Sequence, residues 1–379
     1  VRGWQLDPEV TYLNHGSFGA LPLPVAEAAA QLRLEVERNP ADLLVRRLQG
    51  RIEAIRERVA SLLGANPGDL VFVDNATSGT ATVLASLAPS WAPGDEVLTT
   101  DHCYAAVGEQ LTVLAARYGL DVVSAHVPME VGSTADVVAA IVERMTERTR
   151  LLAVDGIASA SGLHFPVGEI VAAAHERDIP VLIDAAHMPG HVAVDLRAVD
   201  ADFWVGNLHK WVCCQRALAV LAVNPRWQAI IRPLVASHSY AVGFQPAFDW
   251  TGTHDPVPLL SVPAALDYWE QIGWEQMRAR QRELVDTGAE VLATALGTSS
   301  PKPAGMTAAM RIVALPVELS RPHGEELSAR LLAEHRIEVG FTTLYGKRWL
   351  RVCGQVYNSP EDYERLAAVL PGLLTTSTR

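Results

Sequence analysis

The chain has 379 residues, 31 Lys and Arg against 43 Asp and Glu, a formal charge of -12 and 49% hydrophobic residues. That length exceeds the size at which a single core stops growing, so two domains are expected. The acidic balance, with no Lys/Arg run, excludes a nucleic-acid surface, which needs clustered cations. No apolar run is long enough to cross a membrane, and the opening "VRGWQLDPEV" has no apolar leader core. Cys103, Cys213, Cys214 and Cys353 form no CxxC pair and no zinc spacing with histidine. A reducing cytoplasm, no metal, no membrane and small-molecule partners are the expectation.

An arm over residues 1–23 precedes two helical pieces in residues 24–63. There "RIEAIRERVASLLG" puts Ile52, Ile55, Val59 and Leu62 on one face, with Gly64 as a stop. An alternation follows: strand "LVFV", helix from Ser78, strand "EVLTT", helix from Tyr104, strand "DVVSAHV" and helix from Thr134. It continues with strand "LLAV", helix "VGEIVAAAHER", and strands "PVLID" and "DFWV". Near-continuous apolar strands alternating with helices imply an α/β fold whose mainly parallel, doubly wound sheet is covered on both faces. This large domain is expected over residues 24–259.

From about residue 226 the pattern loosens into a long Gly, Pro and aromatic-rich loop, the kind that serves function or an interface. One long helix is then expected over "PAALDYWEQIGWEQMRARQRELVDTGAEVLATAL". A smaller α+β unit follows, with "AMRIVALPV", "GEELSARLLAEH" and "WLRVC", giving a C-terminal domain over residues 260–379.

Parallel α/β sheets bind ligands beyond the carboxyl ends of their strands. Standing there are Asp74 to Thr77, Asp101 and His102, Asp155 and then Ser159, Asp184 and His187, and Asn207, His209 and Lys210. Taken singly, Asp184 reads as a helix cap and the histidines as structural residues. "NATSGT" reads as a capped helix start, which is also an anion site. Lys210 is harder to dismiss, because lysine is rarely buried unless it is paired or used, and a cleft lowers its pKa toward a nucleophilic amine. An amine, an acid and an anion-binding helix start together fit pyridoxal 5'-phosphate (PLP), which needs a lysine for its aldehyde, an acid for its pyridinium nitrogen and a phosphate cup.

The ordered motifs "YLNHGSFGALP", "NATSGT", "DHCYAAV", "IASASG", "VLIDAAHMPG", "NLHKW", "WTGTHDP" and "LRVCGQVYNS" span nearly the whole chain. Through them it resembles the fold-type I PLP enzymes of aminotransferase class V, in the isopenicillin N epimerase-like branch. The resemblance implies that Lys210 carries the cofactor and moves protons at Cα, and that Asp184 holds the ring nitrogen. His102 would stack on the ring, with Tyr104 a rival for that place. His187 and Ser159 would approach the ring hydroxyl. Ala76, Thr77, Asn207 and His209 would hold the phosphate, and Thr253 would reach the phosphate of a neighbouring subunit, making the site a homodimer property. Arg351 would grip the substrate carboxylate, and Asn14, His15 and Ser17 would line the entrance.

Two departures stand out. The loop "VGFTTLYGKRW" has no cysteine of the kind a persulfide-forming desulfurase needs, and His254 stands where an arginine is expected. Cys103 and Cys353 read as small core residues. The branch includes enzymes of ergothioneine and lincosamide pathways, so a role in secondary metabolism, including antibiotic biosynthesis, is implied. Epimerisation needs a second proton donor, such as His15, Tyr104 or a water, and none is evident. Carbon-sulfur β-elimination from an S-conjugated cysteine, or a decarboxylating variant, is therefore favoured over epimerisation. Transamination comes third, with Arg232 or Arg348 as the second carboxylate grip it would need. A ligand-sensing regulator would need a DNA-binding helix-turn-helix, and a nicotinamide-dependent dehydrogenase the absent GxGxxG.

Overall fold

The computed structural model describes residues 3–376. After β1 (Thr11–Tyr12), seven strands build one sheet: β2 (Leu70–Val73), β3 (Glu96–Thr100), β4 (Asp121–Ala125), β5 (Thr149–Asp155), β6 (Val181–Asp184), β7 (Phe203–Asn207) and β8 (Ala219–Val223). Their order is β2-β8-β7-β6-β5-β3-β4, with β8 antiparallel to both neighbours and the rest parallel. Successive residues of a strand point to opposite faces. Leu152, Val154, Ile183 and Trp204 accordingly enter one core, while Leu151, Ala153, Leu182 and Val205 enter another. Both faces of the central strands are buried, as the apolar runs require, whereas the edge strand β4 is largely exposed.

The single reversal matters most for the site. Instead of crossing over after β7, the chain turns back as β8, so residues 208–218 stay at the carboxyl edge of the sheet. This turn carries Lys210 and is pinned by Leu208 N–H to Leu218 O (3.1 Å) and Cys214 N–H to Leu208 O (3.2 Å). Cys213 (φ 61°) and Ala217 (φ 66°) take left-handed conformations within it, which cost free energy for residues with a Cβ.

A second sheet, ordered β11-β12-β9, is antiparallel and contains β9 (Met310–Ala314), β11 (Gly340–Leu344) and β12 (Lys347–Cys353), while β10 (Ile337–Glu338) pairs with β1. Phe341 to Lys347, expected as a loop, is a hairpin. Leu344 pairs with Lys347 across Tyr345 (φ 52°) and Gly346 (φ 72°), the two left-handed residues of a type I′ turn.

The expected long helix is two helices, Val262–Ile272 and Trp274–Leu296, broken at Gly273 (φ 92°). Val262, Ala265 and Leu266 of the first belong to the core under the large sheet. Leu284, Val285 and Ala289 of the second enter a separate core. The first helices span Leu23–Arg38 and Leu48–Leu63, joined by a π turn and stopped at Gly64 (φ 59°). Ile52, Ile55 and Val59 are buried as expected. The loop from residue 226 holds short helices at Phe244–Asp249 and Val257–Leu260.

The arm joins both units. Leu13 enters the core of the second unit, and Gly19 (φ 71°) then passes against the turn that holds Lys210. A Cβ on Gly19 would lie 2.1 Å from the His209 carbonyl oxygen and 2.9 Å from that of Lys210. Gly19→Ala is therefore expected to lower stability by about 3 kcal/mol through overpacking and a left-handed backbone. Chemical denaturation measures this, and an unchanged midpoint would contradict the close approach.

Candidate active site

Five strand ends converge on one cavity of about 150 Å³, lined by Ser17, Phe18, Asn75, Ala76, Thr77, Tyr104, Asp155, Ile157, Ser159, Asp184, Ala186, His187, Asn207, His209 and Lys210. A larger hollow of about 300 Å³ lies elsewhere and contains the exposed Thr253 and His254.

The anion-binding end is built by the helix Ala76–Leu87. Asn75 and Ser78 close a capping box, which fixes where the helix begins. Gly79 lets the helix lie against the sheet, since a Cβ there would come within 2.5 Å of Val205. Asn207 Oδ1 accepts the Ala76 N–H at 2.8 Å, tying the helix start to the end of β7. The Thr77 N–H has no partner among the described residues, and it sits at the positive end of the helix dipole. His209 donates Nδ1–H to Leu218 O (2.9 Å). Burial pushes its pKa down to about 4, so it stays neutral.

The acid end holds two carboxyl groups. Asp155 and Asp184 are register partners on β5 and β6, both are buried, and register partners point to the same face. Desolvation raises both pKa values, with Asp184 adding repulsion at Asp155. Asp184 Oδ1 accepts one N–H, from Ala186 at 3.0 Å. Asp155 had no expected role. The sequence signal was present, because "LLAVD" and "VLID" end neighbouring strands with the same residue.

Between these ends lies the Lys210 amine. Desolvation lowers its pKa to about 8, opposed chiefly by Asp184 and assisted by Arg351. Its Nζ is 3.1 Å from His187 Nε2. Burial, followed by Lys210 and Arg351, pushes the pKa of His187 well below its usual value.

Arg351 stands just behind Ser17 and Ser159. Its Nη1 donates to Ser159 O (2.8 Å) and Oγ (3.1 Å), and its Nη2 to Ser17 Oγ (2.6 Å) and Asn14 Oδ1 (3.3 Å). Its Nε is buried without a partner, and no carboxylate lies within ion-pair distance among the described residues. A buried cation matched only by neutral groups favours an incoming anion. Arg232 and Arg348 are engaged elsewhere, with Gln228 O and Thr343 Oγ1.

Five expected residues do not line the cavity: Thr253 lies in the other hollow, Arg351 stands behind the lining, and His102, His15 and Asn14 are turned away. His102 is turned under the sheet edge, where Nδ1 meets Ser161 Oγ (2.8 Å) and Nε2 meets Val127 O and Tyr345 OH (both 2.7 Å). Both nitrogens are engaged, Phe165 packs against the ring with planes 77° apart, and His102 is not part of the cavity lining. Tyr104, at the start of the next helix, faces the cavity instead. His15 is fully buried and holds Tyr357 OH (3.1 Å) and Lys210 O (3.1 Å). Asn14 is likewise buried and reaches the site through Arg351 and through Ser17, whose Oγ donates to Asn14 Oδ1 at 2.7 Å.

These residues fit PLP. The depressed amine suits an aldehyde, the unpaired Thr77 N–H suits a phosphate, and the raised carboxyl of Asp184, with one N–H partner, suits a cationic ring N–H.

Comparison with known proteins agrees. Over 388 residues the chain is 32% identical to isopenicillin N epimerase of Amycolatopsis lactamdurans, covering 97% of this chain and 96% of that one. It is 29% identical to an L-cysteine desulfhydrase of Arabidopsis thaliana (96% and 88% covered) and 27% identical to hercynylcysteine sulfoxide lyase of Schizosaccharomyces pombe (97% and 95%). A C-DES lysine-to-alanine mutant with glycine covalently linked to its PLP cofactor superposes with a TM-score of 0.84 at 20% identity, covering 96% of each chain. The cystine C-S lyase C-DES with its product cysteine persulfide gives 0.83 at 21% identity (96% and 97%). These structures share the fold-type I α/β architecture. The aminotransferase class-V profile matches residues 20–356, and the chain belongs to that family of PLP-dependent enzymes.

Proposed function

We propose that this enzyme is a β-lyase that cleaves the carbon-sulfur bond of an S-substituted L-cysteine, giving thiol, pyruvate and ammonia with uptake of one water. PLP, when bound, supplies an electron sink that acidifies the substrate Cα–H. Asp184 would hold the ring nitrogen, His187 and Ser159 the ring hydroxyl, and Tyr104 would pack against the ring. The N-terminus at Ala76 and Thr77, with Asn207 and His209, would hold the phosphate. Lys210 is the base for the Cα proton. Arg351 binds the α-carboxylate, which displaces the Ser17 or Ser159 hydroxyl from the guanidinium.

The observation that carries this reading is the pairing of Lys210 with His187, while Ser17, Phe18 and Tyr104 of the lining supply no imidazole and Tyr104 is their one ionisable group. Elimination needs one base, and epimerisation needs proton transfer on both faces of Cα. The hairpin turn at Tyr345 and Gly346 also carries no cysteine, in keeping with release of thiol without an enzyme persulfide. Relatives named desulfhydrase and sulfoxide lyase support the same chemistry. Epimerisation is the second reading, favoured by Tyr104 at the cavity wall and by the epimerase relative.

The same reading takes the protein as a cytoplasmic homodimer of secondary metabolism, with Thr253 of the partner subunit reaching the phosphate. Exposed Leu234, Val235 and Val242 offer apolar surface for a second copy.

Incubation with S-substituted L-cysteines in deuterated water, followed by mass spectrometry, tests the reaction. Thiol and pyruvate are expected. Deuterium at Cα with the carbon-sulfur bond intact and some D-isomer would overturn β-elimination in favour of the epimerase. Arg351→Gln is expected to raise KM about tenfold or more, since a charge-assisted pair is lost, while PLP content stays unchanged. Steady-state kinetics on that variant with an unaltered KM would remove Arg351 from substrate binding.

A further inference from the structure

We propose that Trp211 is a positioning residue that fixes the tautomer of His187, so that His187 presents an N–H, not a lone pair, to Lys210 Nζ. An indole nitrogen can only donate. Trp211 Nε1–H donates to His187 Nδ1 at 3.3 Å, which makes Nδ1 an acceptor. A neutral imidazole that accepts at Nδ1 carries its hydrogen on Nε2, and Nε2 is the atom 3.1 Å from Lys210 Nζ. Burial keeps His187 neutral.

The indole is itself held in place. His191 stacks on it at 3.7 Å with planes 16° apart, and His15 packs against it at 4.9 Å. The orientation of His191 is also determined. Its Nε2 accepts the Ala309 N–H at 2.6 Å, so its Nδ1–H donates to His187 O at 3.0 Å. The ordering thus starts at a backbone amide next to β9 in the second unit. From there it reaches His187 by two contacts: His191 stacks on the Trp211 indole and donates to His187 O, and Trp211 donates to His187 Nδ1, which leaves the Nε2–H facing the lysine.

An N–H facing Nζ can hydrogen-bond to a neutral amine, which has a lone pair, and not to an ammonium. It therefore favours the form of Lys210 that condenses with an aldehyde, and it would equally donate to an oxyanion placed beside it. The other charged or titratable groups around this pair are Asp155, Asp184, His191, His209, Arg351 and Cys353. None of them donates to His187 Nδ1.

The inference rests on Lys210 as the cofactor-bearing residue, and its test separates the two claims. In holoenzyme labelled with 15N-histidine, His187 is expected to show an unprotonated Nδ1 and a protonated Nε2; the opposite tautomer overturns the proposal while leaving the role of Lys210 intact. Trp211→Phe keeps the stack and removes the donor. The pH midpoint of the bound cofactor's visible absorption is expected to rise by about one unit in this variant, the worth of one hydrogen bond. A role in packing alone predicts reduced stability with the midpoint unmoved, and that result also overturns the proposal. If the variant does not fold, the tautomer in the unaltered protein decides.

Discussion

The cavity at the carboxyl edge of the large sheet is arranged around one buried amine. Removing the Lys210 ammonium from water is costly, and the cost is met partly by letting the group neutralise and partly by placing Asp184 and Asp155 nearby. The same two carboxyl groups repel one another across adjacent strands, so the pocket as a whole is short of positive charge and partnered N–H groups at its acid end. A cationic ring nitrogen supplies both. The helix start at Thr77 has the opposite need, an anion for an unused N–H. The two ends are complementary to one molecule that is positive at one end and negative at the other.

The fold supplies the geometry through one topological choice. Because β8 runs back beside β7, the segment bearing the lysine is a closed turn between two hydrogen-bonded strands rather than the beginning of a crossover helix. The arm then closes over it, with Gly19 against the His209 carbonyl oxygen and His15 on the Lys210 carbonyl oxygen. That arm is anchored in the second unit through β1 and Leu13. Arg351 lies on β12, so the proposed substrate grip and the proposed cofactor anchor are both bonded to this arm, through Asn14 and Ser17 and through His15.

Much of this was legible in the sequence because parallel strands buried on both faces read as apolar runs, and the residues after each run must stand at the ligand edge. That logic located Asp184, Asn207, His209 and Lys210. It faltered where direction within a turn decides the outcome. His102 and Tyr104 are two residues apart, and no periodicity says which one faces the cavity; the answer depends on Val127 and Tyr345, far away in sequence, which hold the imidazole underneath. His15 was misread for the same reason, since its partners Tyr357 and Lys210 are brought to it only by the fold. The hairpin at Tyr345 and Gly346 was missed because its turn residues do not form one of the common Asn-Gly or Asp-Gly pairs. The break at Gly273 was hidden because a glycine inside a helical pattern is often tolerated.

The central claim, that a desolvated Lys210 amine anchors the cofactor, is tested most directly by the pH dependence of PLP loading onto apoenzyme, with each time point trapped by borohydride and mapped by peptide mass. The account predicts a pyridoxyl group on Lys210 and a loading rate that rises with pH through a midpoint of about 8, because only the neutral amine attacks an aldehyde. A label on another lysine, or a midpoint near the ordinary lysine value of about 10.4, would contradict it.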